Sequence, residues 1–592
     1  MADDKDPLRL GLTSELFHAD TDREPGDTNI QMSGFNFQPH VMLISAVLIL
    51  AFIAYTIIFT DSAAAAYDTI FNGINANFGW FYIIASNIFI LVVLYFGLSK
   101  YGNIRIGGVD AEKEFTDVSW VAMLFSAGMG IGLMFWSVAE PMWHFADPLF
   151  GVEGQSEAAA EVAMAVTYFH WAFHPWAIYG VVGLAIAFFS FNRGLPMTFR
   201  SVFWPILGER IYGWPGHVVD ILAVFATLFG LGTSLGIGAL QINAGLTYVG
   251  GEVLGVTVPD AVWVQVVLIG IITAIAVVSV AAGLHKGVRV LSNINVGLML
   301  LLMFSVLIVG PTLFLLGLIP QAIGTYLTNF PELALWTDTF GTGPYEGWQG
   351  FWTVFYWGWW IAWSPFVGMF IARISIGRTV REFVAGVMIL PVVFSFVFMG
   401  ILGGSALHFE LFTDQSVIGT VFDVGEEVAM FELFTLMPLT IALSILAVIL
   451  VTTFFVTSSD SGSLVLGHLS SGGMHQAPRN QRITWAVFEG VVASALLIGG
   501  GLFALQTASI TVGLPFAFVL LIMCYSTWKG LKQEYKTLQS EEFEELVDEL
   551  VDRRGVVISR SGGDVVTGIV DTRGDAAMTD GDDSAGDVAP SD

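Results

Sequence analysis

Residues 356–368 read YWGWWIAWSPFVG. Four tryptophans, at 357, 359, 360 and 363, fall within seven residues of a long apolar segment that ends at Arg373. In membrane helices tryptophan collects at the interface, where one side of the ring is wet. Indoles in the middle of a span therefore need a different partner. Successive helical residues turn by about 100°. On that wheel Tyr356, Trp359, Trp360 and Trp363 share one broad face, and Trp357 lies at or beyond its edge. Two uses stay open for these rings: lining a cavity, and packing against neighbouring helices.

Composition sets the class. Of 592 residues, 55% are hydrophobic and only 12% charged, and the mean hydropathy is +0.72. Soluble domains average about 25% charged residues. A membrane helix needs roughly 20 apolar residues. Twelve such segments can be drawn, near 41–60, 80–99, 118–140, 160–190, 218–248, 261–282, 293–319, 349–373, 382–405, 435–457, 483–504 and 508–528. The chain is predicted to be an all-α polytopic membrane protein. A single cysteine, Cys524, excludes an intrachain disulfide framework. Residues 1–38 are polar and show no cleavable signal peptide. The net charge is −28, with acids crowded into tails and outer loops. That suits a halophile, because carboxylates hold water and hydrated cations well; the plainer alternative is an acidic disordered tail.

Charge placement predicts orientation. The basic residues precede span 1, follow spans 2, 4, 6, 8 and 10, or lie in the C-terminal tail; all 23 Lys and Arg fall on one side. The positive-inside rule then puts both termini in the cytoplasm of a plasma membrane and supports twelve spans. Residues 320–348 are too polar to span and predict an outer amphipathic helix. Phe543, Leu546, Val547, Leu550 and Val551 follow helical spacing in the tail. Beyond about Gly555 the Gly-, Asp- and Ser-rich composition predicts disorder.

Four internal stretches depart from plain apolar helix. In SAGMGIGLMFW, residues 126–136, Gly128, Gly130 and Gly132 alternate. Glycine costs about 1 kcal/mol in a helix interior. The spacing suits a locally unwound helix that offers backbone groups to a ligand, although small residues also serve close packing. HWAFHPWAIY, residues 170–179, holds Trp171, Trp176 and Tyr179 around Pro175. His170 and His174 have metal-ligand spacing, but the glutamate that a zinc-protease signature needs after the first histidine is Trp171 here. Hydrogen-bonded bundle histidines are the expectation. The third stretch is the tryptophan run. The fourth is TTFFVTSSDSGS, residues 452–463, whose hydroxyls suit a hard cation such as Na⁺ or simple local hydrogen bonds.

A quaternary ammonium has no N–H to donate and is best held by ring faces, at up to about 2 kcal/mol per desolvated ring. No acid sits in the aromatic stretches of spans 4 and 8, which favours a zwitterion over a bare cation.

At these residues the chain resembles the betaine/carnitine/choline transporter family. The likeness covers nearly all of residues 40–528 and rests on GMGIGLMFW, FHWAFHPWAIYGVVGLAIA, FYWGWWIAWSPFVGMFIARISIGRTVREF and FFVTSSDS. It implies a five-plus-five inverted-repeat, LeuT-like core. The organisation would be a cytoplasmic N-terminal tail (1–38), two peripheral spans and a loop (39–117), a first repeat (118–319), the outer segment (320–348), a second repeat (349–528) and an acidic cytoplasmic tail (529–592). It further implies a homotrimer and an aromatic box of Trp171, Trp176, Tyr179 and Trp360, with Trp359 and Trp363 lining the route and Gly128, Gly130 and Gly132 forming the unwound stretch. Sodium would be the coupling ion, with no other cofactor. It would be held by the carbonyls of Ser126, Met129 and Phe454 and the hydroxyls of Thr457 and Ser458.

Within the family, sodium-independent antiporters place a basic residue at the sodium position; spans 3, 5 and 10 here have no Lys or Arg. Choline carriers tend to place an acid in the glycine stretch, where this chain has Gly132. Both points imply sodium-coupled uptake of glycine betaine for osmoprotection. Choline, carnitine, ectoine or proline transport, and proton coupling, are the alternatives. A second sodium site is kept only in part: Thr227 and Phe366 match, but Leu231 replaces the second hydroxyl. The acidic tail also departs from the basic tail of the family's osmosensor. Among other classes, a channel needs a polar pore ring, an enzyme a nucleophile–base or metal set, and a receptor a signalling domain. The sequence offers none of these.

Overall fold

The computed structural model describes residues 17–128, 130–251, 255–282, 285–340, 347–474, 477–540, 543, 545, 556–561 and 565–571. A short hairpin, β1 (Ile30–Met32) and β2 (Phe35–Phe37), leads into α1 (Pro39–Ile58) and α2 (Thr60–Leu98). Next come α3 (Asp117–Gly128), α4 (Ile131–Ala146), α5 (Glu157–Trp171), α6 (Phe173–Ala187), the single turn α7 (Trp204–Leu207) and α8 (Trp214–Val249). They are followed by α9 (Val262–Ala282), α10 (His285–Val309), α11 (Thr312–Leu335), α12 (Phe355–Arg373) and α13 (Val380–Phe412). Two short helices, α14 (Ile418–Val424) and α15 (Ala429–Thr435), precede α16 (Thr440–Ser470) and α17 (Arg479–Thr537). Ten helices among the described residues have the length and hydropathy to cross a membrane.

Several expected boundaries move. Span 2 begins at Thr60, not near 80, because AAAAYDTIFNGINANFG continues the helix. The seventh apolar segment stops at Val309, since Gly310 and Pro311 break it, and α11 starts at Thr312 rather than 320. α11 then lies against α5 and α13. In the tail beyond Gly555, expected to be disordered, β3 (Val556–Ser561) pairs antiparallel with β4 (Val565–Asp571). Valine and isoleucine recur through both segments, and the overall Gly/Asp/Ser composition hid that β pattern. Of the tail helix expected around 543–551, only Phe543 and Glu545 are described; Leu546, Val547, Leu550 and Val551 lie outside the described residues.

Two breaks position the centre of the molecule. The third span is split into α3, which ends at Gly128, and α4, which starts at Ile131, and Gly130 has non-helical φ −162° and ψ −135°. The fourth is split at Ala172, φ −102° and ψ −113°. Proline accounts for the second break: Pro175 has no N–H, and its ring crowds the carbonyl four residues back, at Trp171. α12 crosses α6 closely. A Cβ at Gly368 would sit 2.3 Å from Val182 Cγ1, so only glycine permits this approach. The TVRE sequence at Thr379–Glu382 forms a reciprocal capping box at the start of α13.

The loops after spans 2, 4 and 8, assigned to one side by their basic residues, meet one another and the start of the C-terminal tail. Ile106 N–H donates to the Arg378 carbonyl (2.9 Å), and Val380 N–H to that of Ile104 (2.8 Å). Asn192 Nδ2 donates to the Arg105 carbonyl (2.9 Å) and to Glu534 Oε1 (2.7 Å). The buried Arg200–Asp220 pair fixes the loop before α8.

α17 bends at Gly500 and Gly501, and Gly501 has φ +58° and ψ −140°. That backbone region is nearly reserved for glycine, and another residue there costs about 1–3 kcal/mol. Gly501→Ala is expected to lower the thermal unfolding midpoint in detergent, whereas Gly73→Ala, on exposed helical backbone with open space around it, leaves it unchanged or raises it. Scanning both variants in the same detergent checks this.

Candidate functional site

The helix breaks and the tryptophan run meet. Gly132, one residue into α4, faces the rings of Trp359 and Trp171; a Cβ there would lie 2.4 Å from Trp359 Cη2 and 3.1 Å from Trp171 Cη2. The absence of a side chain at 132 thus makes room for two indoles. Trp171, Trp176, Tyr179, Trp359, Trp360 and Trp363 are all buried. Trp171 meets Trp360 edge-on (centroids 4.9 Å apart, planes at 71°), and Tyr179 meets Trp360 edge-on at 6.4 Å. Trp176 packs on Tyr179 at 5.4 Å. Trp359 stacks on Trp360 at 4.6 Å and touches Trp363 at 5.7 Å. Trp357 points elsewhere: it stacks on His174 at 4.6 Å and meets Phe169 edge-on.

Hydrogen bonds hold these rings in place. Trp360 Nε1 donates to the carbonyl of His170 (3.0 Å), one residue before α5 ends at Trp171. Trp359 Nε1 donates to Ser234 Oγ (3.2 Å) on α8. Trp171 Nε1 donates to Glu140 Oε2 (2.8 Å), and the Tyr356 hydroxyl donates to the same oxygen (2.6 Å). The other carboxyl oxygen, Oε1, lies 2.6 Å from His170 Nδ1.

Glu140 corrects the picture of an acid-free cluster. The carboxyl comes from α4 rather than from the aromatic stretches of spans 4 and 8. The third apolar segment was drawn to end at residue 140, which left Glu140 at its rim. The helix continues to Ala146, so this carboxyl is fully buried. An ionisable residue inside a span is a functional candidate in its own right, and that was the signal available in AEPMWH.

The histidine pair also divides differently from its spacing. His174 stacks on Trp357 with Nε2 3.4 Å from Asn87 Oδ1, while His170 joins Glu140. Glu140, His144 and His170 bring one ligand atom each within 4.8 Å of one another, a distance a metal could bridge. The Glu140 oxygens are, however, engaged by Trp171, Tyr356 and His170. His144 Nε2, the third member's ligand atom, is buried without a hydrogen-bond partner, 3.4 Å from Glu140 Oε1.

Of the expected sodium ligands, Met129 lies outside the described residues, and of Ser126, as of Gly128 in the expected unwound stretch, only the helical backbone is described. α16 does reach the break: Phe454 Cδ1 is 3.8 Å from where a Cβ on Gly130 would stand. The Thr457 hydroxyl donates to the carbonyls of Thr453 and Phe454 (3.0 Å each) and accepts from Asn295 Nδ2 (3.1 Å). Asn295, on α10, is a neighbour that the sequence did not suggest. Ser458 is half-buried. At the second position Thr227 donates to the Ala223 carbonyl (2.7 Å), and Phe366 lies 6.2 Å from Trp363. Leu231 fills the notch at Gly462, where a Cβ would be 2.3 Å from Leu231 Cδ1 and 3.0 Å from the buried Glu489 Oε1. Thr233 turns to α17 and bonds to the Leu505 carbonyl (3.0 Å) and Ser509 Oγ (2.9 Å).

A family model described as BCCT, betaine/carnitine/choline family transporter, matches residues 40–536. The chain is 47% identical over 527 residues to glycine betaine transporter 1 of Vibrio parahaemolyticus, covering 87% of this chain and 97% of that protein. It is 43% identical over 535 residues to a glycine betaine/proline/choline transporter of the same organism, covering 87% and 94%. With the osmo-dependent choline transporter of Acinetobacter baylyi it shares 41% over 497 residues, covering 83% of this chain and 71% of that protein. The family match runs through both helix breaks and the tryptophan helix, and the chain belongs to the betaine/carnitine/choline transporter family.

Proposed function

We propose that this transporter imports glycine betaine, or a closely related methylated zwitterion, by sodium symport and so protects the cell against osmotic stress. The observation that carries the substrate class is the set of ring faces from Trp171, Tyr179 and Trp360 at the edge of two helix breaks. No lysine or arginine lies among them to repel an ammonium group. In the same proposal the twelve spans form a five-plus-five inverted repeat after two peripheral helices, both termini are cytoplasmic and the protein is a homotrimer. The acidic composition fits a saline habitat. A second substrate, choline, is favoured by Glu140, which brings a carboxyl group to the rings where none was expected.

Uptake of labelled glycine betaine into proteoliposomes, with and without an inward sodium gradient, tests this proposal. Concentrative uptake that requires sodium is the expected result; uptake indifferent to sodium, or none, is the contrary one.

The two faces of α12 should separate in the same assay. Loss of one desolvated cation–π contact is worth about 2 kcal/mol, or roughly thirtyfold in affinity. Trp360→Leu is therefore expected to reduce betaine uptake at least that much at low substrate, and Trp357→Leu to retain most of it at equal membrane expression. Equal losses would refute the face assignment.

By the family pattern, in which an acid in the glycine stretch goes with choline transport, Gly132→Asp is expected to gain choline transport. The contacts at Gly132 change that expectation: the new Cβ meets Trp359 and Trp171, so betaine uptake should fall through displaced rings. A Gly132→Asp protein with wild-type betaine KM would show that these indoles move freely.

Sodium coupling rests on Thr457 and Ser458 with the carbonyls around the third-span break. A second ion would have Thr227 but face Leu231. We expect one sodium per substrate, or two with one bound weakly. Leu231→Thr is expected to lower the sodium concentration for half-maximal uptake, and Thr457→Ala to abolish coupled transport. A reversal potential giving two sodium ions per substrate, maintained at low sodium, would contradict this.

A further inference from the structure

We infer that Glu140 is a positioning residue for the substrate cage: its buried carboxylate fixes the edges of Trp171 and Tyr356 so that their rings, and Trp360 packed against both, are oriented to hold a quaternary ammonium. This inference rests on the functional proposal above and assigns a role that the aromatic residues alone do not account for.

The geometry is specific. Glu140 Oε2 accepts from Trp171 Nε1 at 2.8 Å and from the Tyr356 hydroxyl at 2.6 Å. His170 Nδ1 stands 2.6 Å from Oε1, while His170 Nε2 lies 3.0 Å from Thr353 Oγ1. With the proton on Nδ1, His170 donates to the carboxylate and its Nε2 accepts from Thr353. All three neighbours of Glu140 are then donors, and a carboxylate is an acceptor on both oxygens. Only an acceptor of this valence satisfies the set. His144 Nε2, 3.4 Å from Oε1, is the remaining titratable group facing it.

The rings tied to Glu140 are the ones that frame Trp360. Trp171 lies edge-on to Trp360, and Tyr356 stacks beside it at 5.7 Å with planes 25° apart. The carboxylate thus links α4, α5 and α12 at the point where the backbone of the fourth span breaks. A carboxamide keeps the volume but turns an N–H₂ donor toward at least one of the three donors. One ring or the histidine then loses its partner and its fixed orientation.

The test is the KM and the saturated turnover of sodium-driven betaine uptake in proteoliposomes. Glu140→Gln is expected to raise KM at least tenfold and to change turnover at saturation by less than twofold. Tyr356→Phe keeps the ring and removes one donor, and is expected to raise KM several-fold. In the double variant the two effects should combine to less than their product, because both remove the same bond. If Glu140→Gln does not fold, Tyr356→Phe decides alone, and an unchanged KM there overturns the inference. So does a fall in turnover with unchanged KM in either variant, or strictly multiplicative effects in the double variant. An active wild type with unaffected variants refutes this inference alone. A wild type that carries no betaine refutes the functional proposal and this inference with it.

Discussion

Backbone polar groups in a bilayer have no water to bond with, so irregular backbone is tolerated there only where protein surrounds it. That constraint organises the centre of this molecule. Helix breaks at Gly130 and Ala172 would be costly against lipid. They are placed instead among α8, α12 and α16, whose side chains close around them. The tryptophans in the middle of α12 follow from the same requirement. The freed carbonyl of His170 is taken by Trp360 Nε1, so one indole both caps the break and packs among the rings of Trp359, Tyr356 and Trp171. An indole suits this double use because it has one donor on an otherwise apolar ring.

Four helices, α4, α5, α8 and α12, hold one another around these rings. Trp171 and Tyr356 are fixed by Glu140, Trp360 by His170, and Trp359 by Ser234. A ring held at its polar edge has little freedom to tilt. Orientation matters for cation–π attraction, since the ring quadrupole is negative on its face and positive at its edge. The same construction places α16, with its hydroxyl-rich stretch, against Gly130. The aromatic rings at Gly132 and the hydroxyl-rich helix at Gly130 therefore meet the same broken span. That proximity is the structural basis on which we propose coupling between substrate and sodium.

Much of this was legible in the chain. The tryptophan spacing on a helical wheel separates Trp357 from the other three, and in the fold Trp357 stacks on His174 while the others share a face. Alternating glycines coincide with a break, and Pro175 lies one turn beyond another. Other features were hidden for physical reasons. Glu140 looked like a helix end because a hydropathy window stops at a charge, although here three donors in the fold satisfy that charge. Asn295 near Thr457 depends on how α10 packs against α16, which no local pattern encodes. The tight contacts at Gly132 reverse the choline expectation for Gly132→Asp, since alternating glycine says that space is needed but not which rings occupy it.

The central claim is that ring faces recognise a positive charge rather than merely a bulky apolar group. Titration of the purified protein, followed by its own tryptophan fluorescence in saturating sodium, can compare glycine betaine with 3,3-dimethylbutyrate, in which carbon replaces the quaternary nitrogen. The two ligands match in shape and carboxylate but differ in the cation. The account predicts a fluorescence change that saturates with betaine and an affinity for the carbon analogue lower by at least tenfold. Equal affinity for the two would contradict it.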